Sequence, residues 1–363
     1  MSKKSKSNSN FLKYFDSMRL LVAILIALAI TTVIIFSVSE NPIEALTTLL
    51  LGPLQSKRYF FNVLEMMVPL MFTGLSLALV FKSGNFSMIT DASFYMGAVI
   101  AVFIAIKLPL PAVIHPAFAI LIAGVIGGLI GSIPAFCRVK FKANELVTSL
   151  MLNYVFFFSG IYIINKFLID RNASNFASLK FLKSSSLGNI VDGTRLHYGF
   201  VIALLLCAAL YIFLTRTKWG YEIRLVGSNI EFAKYSGIKT GRVILYTSFI
   251  SGAVAAMGGA IEKLGMYNRF QWANAPTYAW DGVIIATLSG NNPKFIPLAA
   301  FFLSYIRVGA DIMSRKTDVQ NELVAIIQGI IILLVTAERF LYFMKQRKES
   351  QMALENAMNK GGK

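Results

Sequence analysis

The chain has 363 residues, 56% of them hydrophobic and 15% charged, with a formal net charge of +17. A soluble protein carries about 25% charged residues, so this composition excludes a water-soluble globule and fits a chain that crosses a membrane repeatedly. The positive charge does not mark a nucleic-acid binder. The Lys and Arg residues sit in short connections between apolar runs and at the two ends, where membrane orientation needs them.

Ten apolar segments follow in chain order, at 20–38, 61–81, 88–106, 112–136, 146–166, 198–214, 243–262, 280–290, 295–312 and 322–341. Most reach the ~20 residues that span ~30 Å of hydrocarbon as a helix. The expected fold is an all-α, polytopic integral membrane protein with about ten transmembrane helices, some short or broken. Residues 1–19 form a basic tail, 20–341 the transmembrane domain with a loop at 215–242 inside it, and 342–363 a second tail. The first run is too long for the ~7–15 apolar residues of a cleaved leader, so it reads as an uncleaved helix.

Orientation follows from the basic residues. With the N-terminus cytoplasmic and strict alternation, inner segments hold 22 Lys and Arg and outer segments 12. This asymmetry places both termini inside. It also favours reading 280–290 as a crossing or a re-entrant pair with its neighbour, although its apolar part, Val283 to Leu288, is too short to cross as a helix. The long outer loop 170–197 is polar and expected at the surface.

No covalent chemistry is visible. There is no GxxxxGK[ST], HExxH, GxSxG or CxxC, the histidines His115 and His197 lie far apart, and Cys137 and Cys207 read as small apolar residues. The expectation is no catalytic residue, no metal and no cofactor in this chain.

The loop 215–242 contains Ser228, a short helix-like run from Ile230 to Ser236, and Gly237. Ser228 with Glu231 three residues later forms a capping box, and Gly237 is the stop. Ile230, Ala233 and Gly237 (or Ile230, Ala233 and Lys234) fall on one face, which reads either as a small-residue surface suited to docking in a groove of another protein or as an ordinary amphipathic loop helix.

Charged groups within spans cost ~2.5 kcal/mol or more and need a reason. Glu65 is expected to reach water at an interface. Asp91 and Asp281 each begin an apolar stretch. Each either caps its helix or marks a helix that starts inside the membrane beside an aqueous pathway. Asn153 either bonds between helices or lines that pathway.

Three stretches carry a family resemblance. GSNIEFAKYSGI, 227–238, resembles the cytoplasmic coupling loop of ABC importer permeases for simple sugars and nucleosides, relatives of the branched-chain amino-acid permeases; Gly227, Asn229, Ala233, Gly237 and Ile238 match. NELVTSLMLNYV, 144–155, is similar to the family's NE…LMLNY stretch, and WDGVIIATLSGNNPKF, 280–295, to its FDG…NNP stretch. The likeness runs from about residue 60 to 335. One segment departs: in FSMITDASFYMGA, Phe86 to Ala98, Asp91 stands where the family has Glu, Ala92 where it has Gly and Ser93 where it has Gln.

The resemblance implies the transmembrane subunit of an ABC importer in a bacterial cytoplasmic membrane. Partners would be an ABC ATPase subunit that carries ATP and magnesium, a second copy or sister permease, and an extracytoplasmic solute-binding lipoprotein. It implies ATPase coupling through Gly227, Ser228, Asn229, Glu231, Ala233, Gly237 and Ile238, and a substrate pathway near Asp91, Ser93, Asn153, Asp281, Gly282 and Asn291. The solute expected first is a nucleoside, then a simple sugar or a vitamin. An ion-coupled secondary transporter is the alternative of another class, with Glu65, Asp91 and Asp281 as its carboxylates. The short helix at 280–290 is expected to start at Asp281-Gly282 and end at Gly290.

Overall fold

The computed structural model describes residues 39–320 continuously, together with 26, 29–37, 323, 326–330 and 333. The tails 1–19 and 342–363 and most of the tenth segment lie outside the described residues. Among the described residues the fold is all-helical, apart from the isolated bridges Ile169–Ser178 and Asn189–His197.

The chain divides into two units, one of residues 1–53 with 306–363 and one of 54–305. The first holds the helical residues 29–37 (α1), α2 (Pro42–Leu51) and the end of α12 (Ile296–Lys316). The sequence reading had no α2. Its ten residues are too few to span, but Pro42 in the first turn suits a helix start. α2 crosses α12 closely, since a Cβ at Gly309 would run into the Leu49 carbonyl. In the same unit the Asp318 carboxylate accepts from the Ser39 hydroxyl at 2.7 Å and the Glu40 amide at 2.6 Å, which holds it below its ordinary pKa.

The second unit contains α3 (Lys57–Lys82), α4 (Thr90–Lys107), α5 (Ile114–Phe141), α6 (Glu145–Ile163), α7 (Gly199–Arg216), α8 (Lys218–Ser228), α9 (Ile230–Tyr235), α10 (Thr240–Met266) and α11 (Tyr278–Leu288). Seven described helices, α12 included, are long and apolar enough to cross a membrane. Several outrun the apolar segments because Lys57, Lys82, Lys107, Arg138 and Lys140 continue the helix for a turn at their ends. An α-helix bonds its own backbone whatever the side chain, so hydropathy ends before the helix does.

α10 is the central helix, packed on α3, α4 and α5. Small residues let the backbones approach. A Cβ at Gly97 would strike the Ala256 carbonyl, and one at Gly259 the Phe94 carbonyl. α3 is buried along most of its length, Glu65 included at 6% exposure, so this carboxylate does not reach water as expected. α6 and α7 leave most of their surface uncovered.

The loop 170–197 is more than surface. Ser178 and Ser185 are fully buried. The Ser178 amide donates to the Phe270 carbonyl at 2.9 Å, and the Phe270 amide donates to the Ser178 hydroxyl at 2.9 Å. Arg269 pairs with Asp170 at 2.7 Å. The loop thereby pins residues 268–270, the chain that leaves α10.

Candidate functional site

Two helices begin in the interior rather than at an end of the bundle. α3 runs to Lys82, after which the chain is irregular until Thr90. The Asn153 side chain on α6 donates to the Met88 carbonyl at 2.9 Å and accepts from the Ala92 amide at 3.2 Å. Ser149, one turn earlier, accepts from the Met88 amide at 3.0 Å. Asn153 lies eight residues past the start of α6, so α4 begins about 12 Å above that helix end. Thr90 also reaches Ser76 at 3.1 Å, and Ser76 reaches Ser251 at 2.9 Å in the body of α10. Asn153 therefore bonds between helices: it holds a helix start whose amides would otherwise be unsatisfied.

α11 is the other. It begins at Tyr278, one turn before the expected Asp281-Gly282, and ends at Leu288. Its cap comes from another helix. The Asp91 carboxylate on α4 accepts from the Ala279 amide at 3.1 Å. Asp281 lies within the first turn, 5% exposed, close enough to Asp91 for their charges to interact. One residue before Ala279, Tyr278 lies within interacting distance of the Glu262 carboxylate on α10. The stunted helix is thus held at its start by carboxylates of two neighbouring helices, an arrangement the sequence could not supply because the partners are 188 and 16 residues away.

The other expected pathway residues have structural placements. Ser93 is fully buried and its hydroxyl donates to the Gly127 carbonyl at 3.3 Å. Gly282 lets α11 cross α3, since a Cβ there would lie 2.8 Å from the Thr73 backbone. Asn291 takes a left-handed conformation, φ 55°, in the turn that closes α11, and its buried Oδ1 has no hydrogen-bond partner.

Near Glu262 lies a group the sequence reading missed. Lys263, counted there as an outer-loop cation, is a fully buried residue of α10. Its ammonium sits 3.5 Å from the Trp272 ring centroid, 4.1 Å from Tyr267 and 5.0 Å from Phe270. Trp272 stacks on Phe94 and Tyr95 at 6.0 and 6.4 Å between centroids. The only signal in the sequence was a Glu-Lys pair at the end of an apolar run.

At the opposite end of α10 lies the loop 215–242. α8 and α9 are separate short helices, and the cap of α9 differs from the expected capping box. Asn229, not Ser228, is the N-cap, accepting from the Phe232 amide at 2.9 Å. Ser228 instead closes α8, donating to the Leu225 carbonyl at 3.0 Å. Glu231 pairs with Lys234 at 2.7 Å rather than completing the box. Asn at N-cap competes well with Ser, and the one-residue shift lets Ser228 end the preceding helix. The stop is as expected. Gly237 has φ 81°, its amide donates to the Lys234 carbonyl at 3.0 Å, and the Ile238 amide to the Ala233 carbonyl at 3.0 Å, a Schellman motif. The expected small-residue face is divided: Ala233 is fully buried, Ile230 half-buried and Gly237 exposed, while the outward side carries Phe232, 57% exposed, and Tyr235, 89% exposed. Gly227, at the end of α8, sits against the turn after α3, where a Cβ would strike the Lys82 carbonyl. Beside that turn Arg138 donates to Asn85 and pairs with Glu145 at 2.8 Å.

These contacts form one chain: α8 touches the turn after α3, that turn leads to the start of α4, and Asp91 in the first turn of α4 caps α11. Among the described residues no group of three or more His, Cys, Asp or Glu could hold a metal. The buried spans, interior helix starts and exposed short helices define a multi-pass membrane transport subunit. The chain belongs to the family described as branched-chain amino acid transport system / permease component, whose model matches residues 59–336. It is 30% identical over 327 residues to the guanosine ABC transporter permease protein NupP of Bacillus subtilis, covering 89% of this chain and 94% of that one. It is 31% identical over 330 residues to the glucose ABC transporter permease protein TsgB13 of Haloferax volcanii, covering 88% and 87%. To the nucleoside ABC transporter permease protein NupB of Lactococcus lactis it is 26% identical over 360 residues, covering 94% and 97%.

Proposed function

We propose that this permease forms the solute pathway of an ABC importer for nucleosides, in a bacterial cytoplasmic membrane and with both termini inside. ATP is hydrolysed by separate ATPase subunits that dock on α8 and α9. A second copy or a sister permease completes the pore, and an extracytoplasmic binding protein delivers the solute to the end where α10 finishes. The observation that carries this reading is the contact of Gly227 with the turn after α3. It joins the exposed, capped α9 to the two interior helix starts, so a push on α9 is delivered to Asp91 and α11. In this assignment Gly227, Asn229, Gly237 and Ile238 shape and anchor the coupling element. Phe232 and Tyr235 touch the ATPase, and Ser228 and Glu231 stabilise the helices without touching it. Asp91, Asp281, Gly282, Asn291, Asn153 and Ser93 build the helix starts that border the pathway. The nucleoside assignment draws on the guanosine and nucleoside permeases among the relatives; the glucose permease supports a sugar as the second candidate.

The test is uptake of labelled nucleoside by proteoliposomes holding the permease, its ATPase and the binding protein. Asn229→Ala, which removes a cap worth about 0.5–2 kcal/mol, and Gly237→Val, which puts a branched side chain at positive φ, should leave ATP hydrolysis running while uptake falls at least fivefold. Uptake by permease without ATPase would sink the ABC assignment in favour of ion coupling. Preferential competition by glucose or ribose would replace the nucleoside.

A further inference from the structure

The ammonium of Lys263 and Oε2 of Glu262 are both buried without a hydrogen bond. Unmade bonds of this kind are costly away from water, and ring contacts supply attraction but no acceptor for three N–H donors. The two groups are close enough for their charges to interact. Around them stand the charges of Glu65, which faces Glu262, and of Arg195, which faces Glu65. Above them lies the Trp272 face, its centroid 3.5 Å from the ammonium, a π-surface of the kind on which a flat ring stacks. The place is also the junction of α10, α11 and α4, through Tyr278 on Glu262 and Ala279 on Asp91.

We propose that Lys263, Glu262 and Trp272 form a recognition subsite for a flat nitrogen heterocycle that carries a hydrogen-bond acceptor next to an N–H donor. This deepens, and rests on, the nucleoside reading. Lys263 donates to the acceptor, Glu262 accepts from the donor, and the ring stacks on Trp272, supported from behind by Phe94 and Tyr95. Without a bound ring Lys263 occupies the stacking face itself, and a ring enters when that long side chain swings off Trp272, whose far face stays backed by Phe94 and Tyr95. A nucleobase and a vitamin ring both have this edge; ribose and glucose do not.

The experiment uses the permease with its ATPase in nanodiscs. Of the three tryptophans of this chain, Trp219 and Trp280 are replaced by Phe, and the same complex with Trp272 also replaced by Phe is subtracted so that the difference reports Trp272. Inosine, uridine, riboflavin, ribose and glucose are titrated separately, and equilibrium binding of labelled inosine is measured in parallel. Inosine and uridine should shift Trp272 emission saturably while ribose and glucose do not. A response to riboflavin alone would keep the subsite and assign it to the vitamin ring. Glu262→Gln and Lys263→Met should each weaken inosine binding at least tenfold, with the thermal midpoint of the complex as the folding control. If either variant does not fold, the Trp272 titration of the unaltered site decides. The subsite is overturned if nucleoside uptake is intact but saturating inosine leaves Trp272 emission unchanged, or if both folded variants bind inosine normally. If uptake itself proves specific for a sugar, the nucleoside reading fails first, and a Trp272 response to that sugar overturns the heterocycle subsite as well.

Discussion

Replacing Asp91 by Ala tests the idea that the stunted helix is capped from outside. The carboxylate accepts from the Ala279 amide at 3.1 Å in a part-buried setting. Its removal costs a cap bond, about 0.5–2 kcal/mol, and leaves an amide short of water, for which about 1–3 kcal/mol is typical. The two describe the same lost bond, so the expected destabilisation of the first turn of α11 is about 1–3 kcal/mol, a range whose lower part includes the ~1.4 kcal/mol that changes a population tenfold. Nucleoside uptake in proteoliposomes should fall about tenfold while the complex still assembles. Asp91→Asn keeps an acceptor oxygen in nearly the same place and should retain uptake within about threefold. Uptake and thermal midpoint unchanged in Asp91→Ala would refute the external cap. Asn and Ala variants equally inactive would show that the charge, not the acceptor, is what matters.

Two more outcomes follow from packing and protonation. Gly259→Ala pushes a methyl into the Phe94 carbonyl, an atom that cannot rotate away; the cost of overpacking, about 1–3 kcal/mol or more, should appear as a lower thermal midpoint in detergent, and an unchanged midpoint would disprove so close an approach of α4 and α10. Buried His197 accepts from the Gly199 amide at 3.1 Å, and burial pushes its pKa from 6.5 down to about 4. A depressed value means that the unfolded chain takes up the proton first, so the stabilisation is fully present above pH 6.5 and is lost as pH falls towards 4. The full loss is about 3 kcal/mol, read as a midpoint that drops between these pH values in the unaltered protein and is flatter in His197→Gln.

Much of this protein was legible in the residues alone. Long apolar runs can only be membrane helices, because a bilayer leaves the backbone no partner but itself, and the runs at 61–81 and 243–262 lie inside α3 and α10. The stop at Gly237 was equally plain, since positive φ is a local property of one residue. The sequence also named Asp91, Asn153 and Asp281 as polar groups needing a reason. Only the tertiary structure decided what the reason was. Asn153 holds the start of α4, Asp91 caps α11 from across the bundle, and Asp281 lies buried in the first turn of α11. Lys263 looked like a loop cation because charge normally ends a span, and only the rings of Tyr267, Phe270 and Trp272, folded back over it, make it an interior residue. Hydropathy and turn chemistry act within a few residues and can be read along the chain. Which buried donor meets which acceptor depends on helices brought together from distant parts of it, and no local pattern records that.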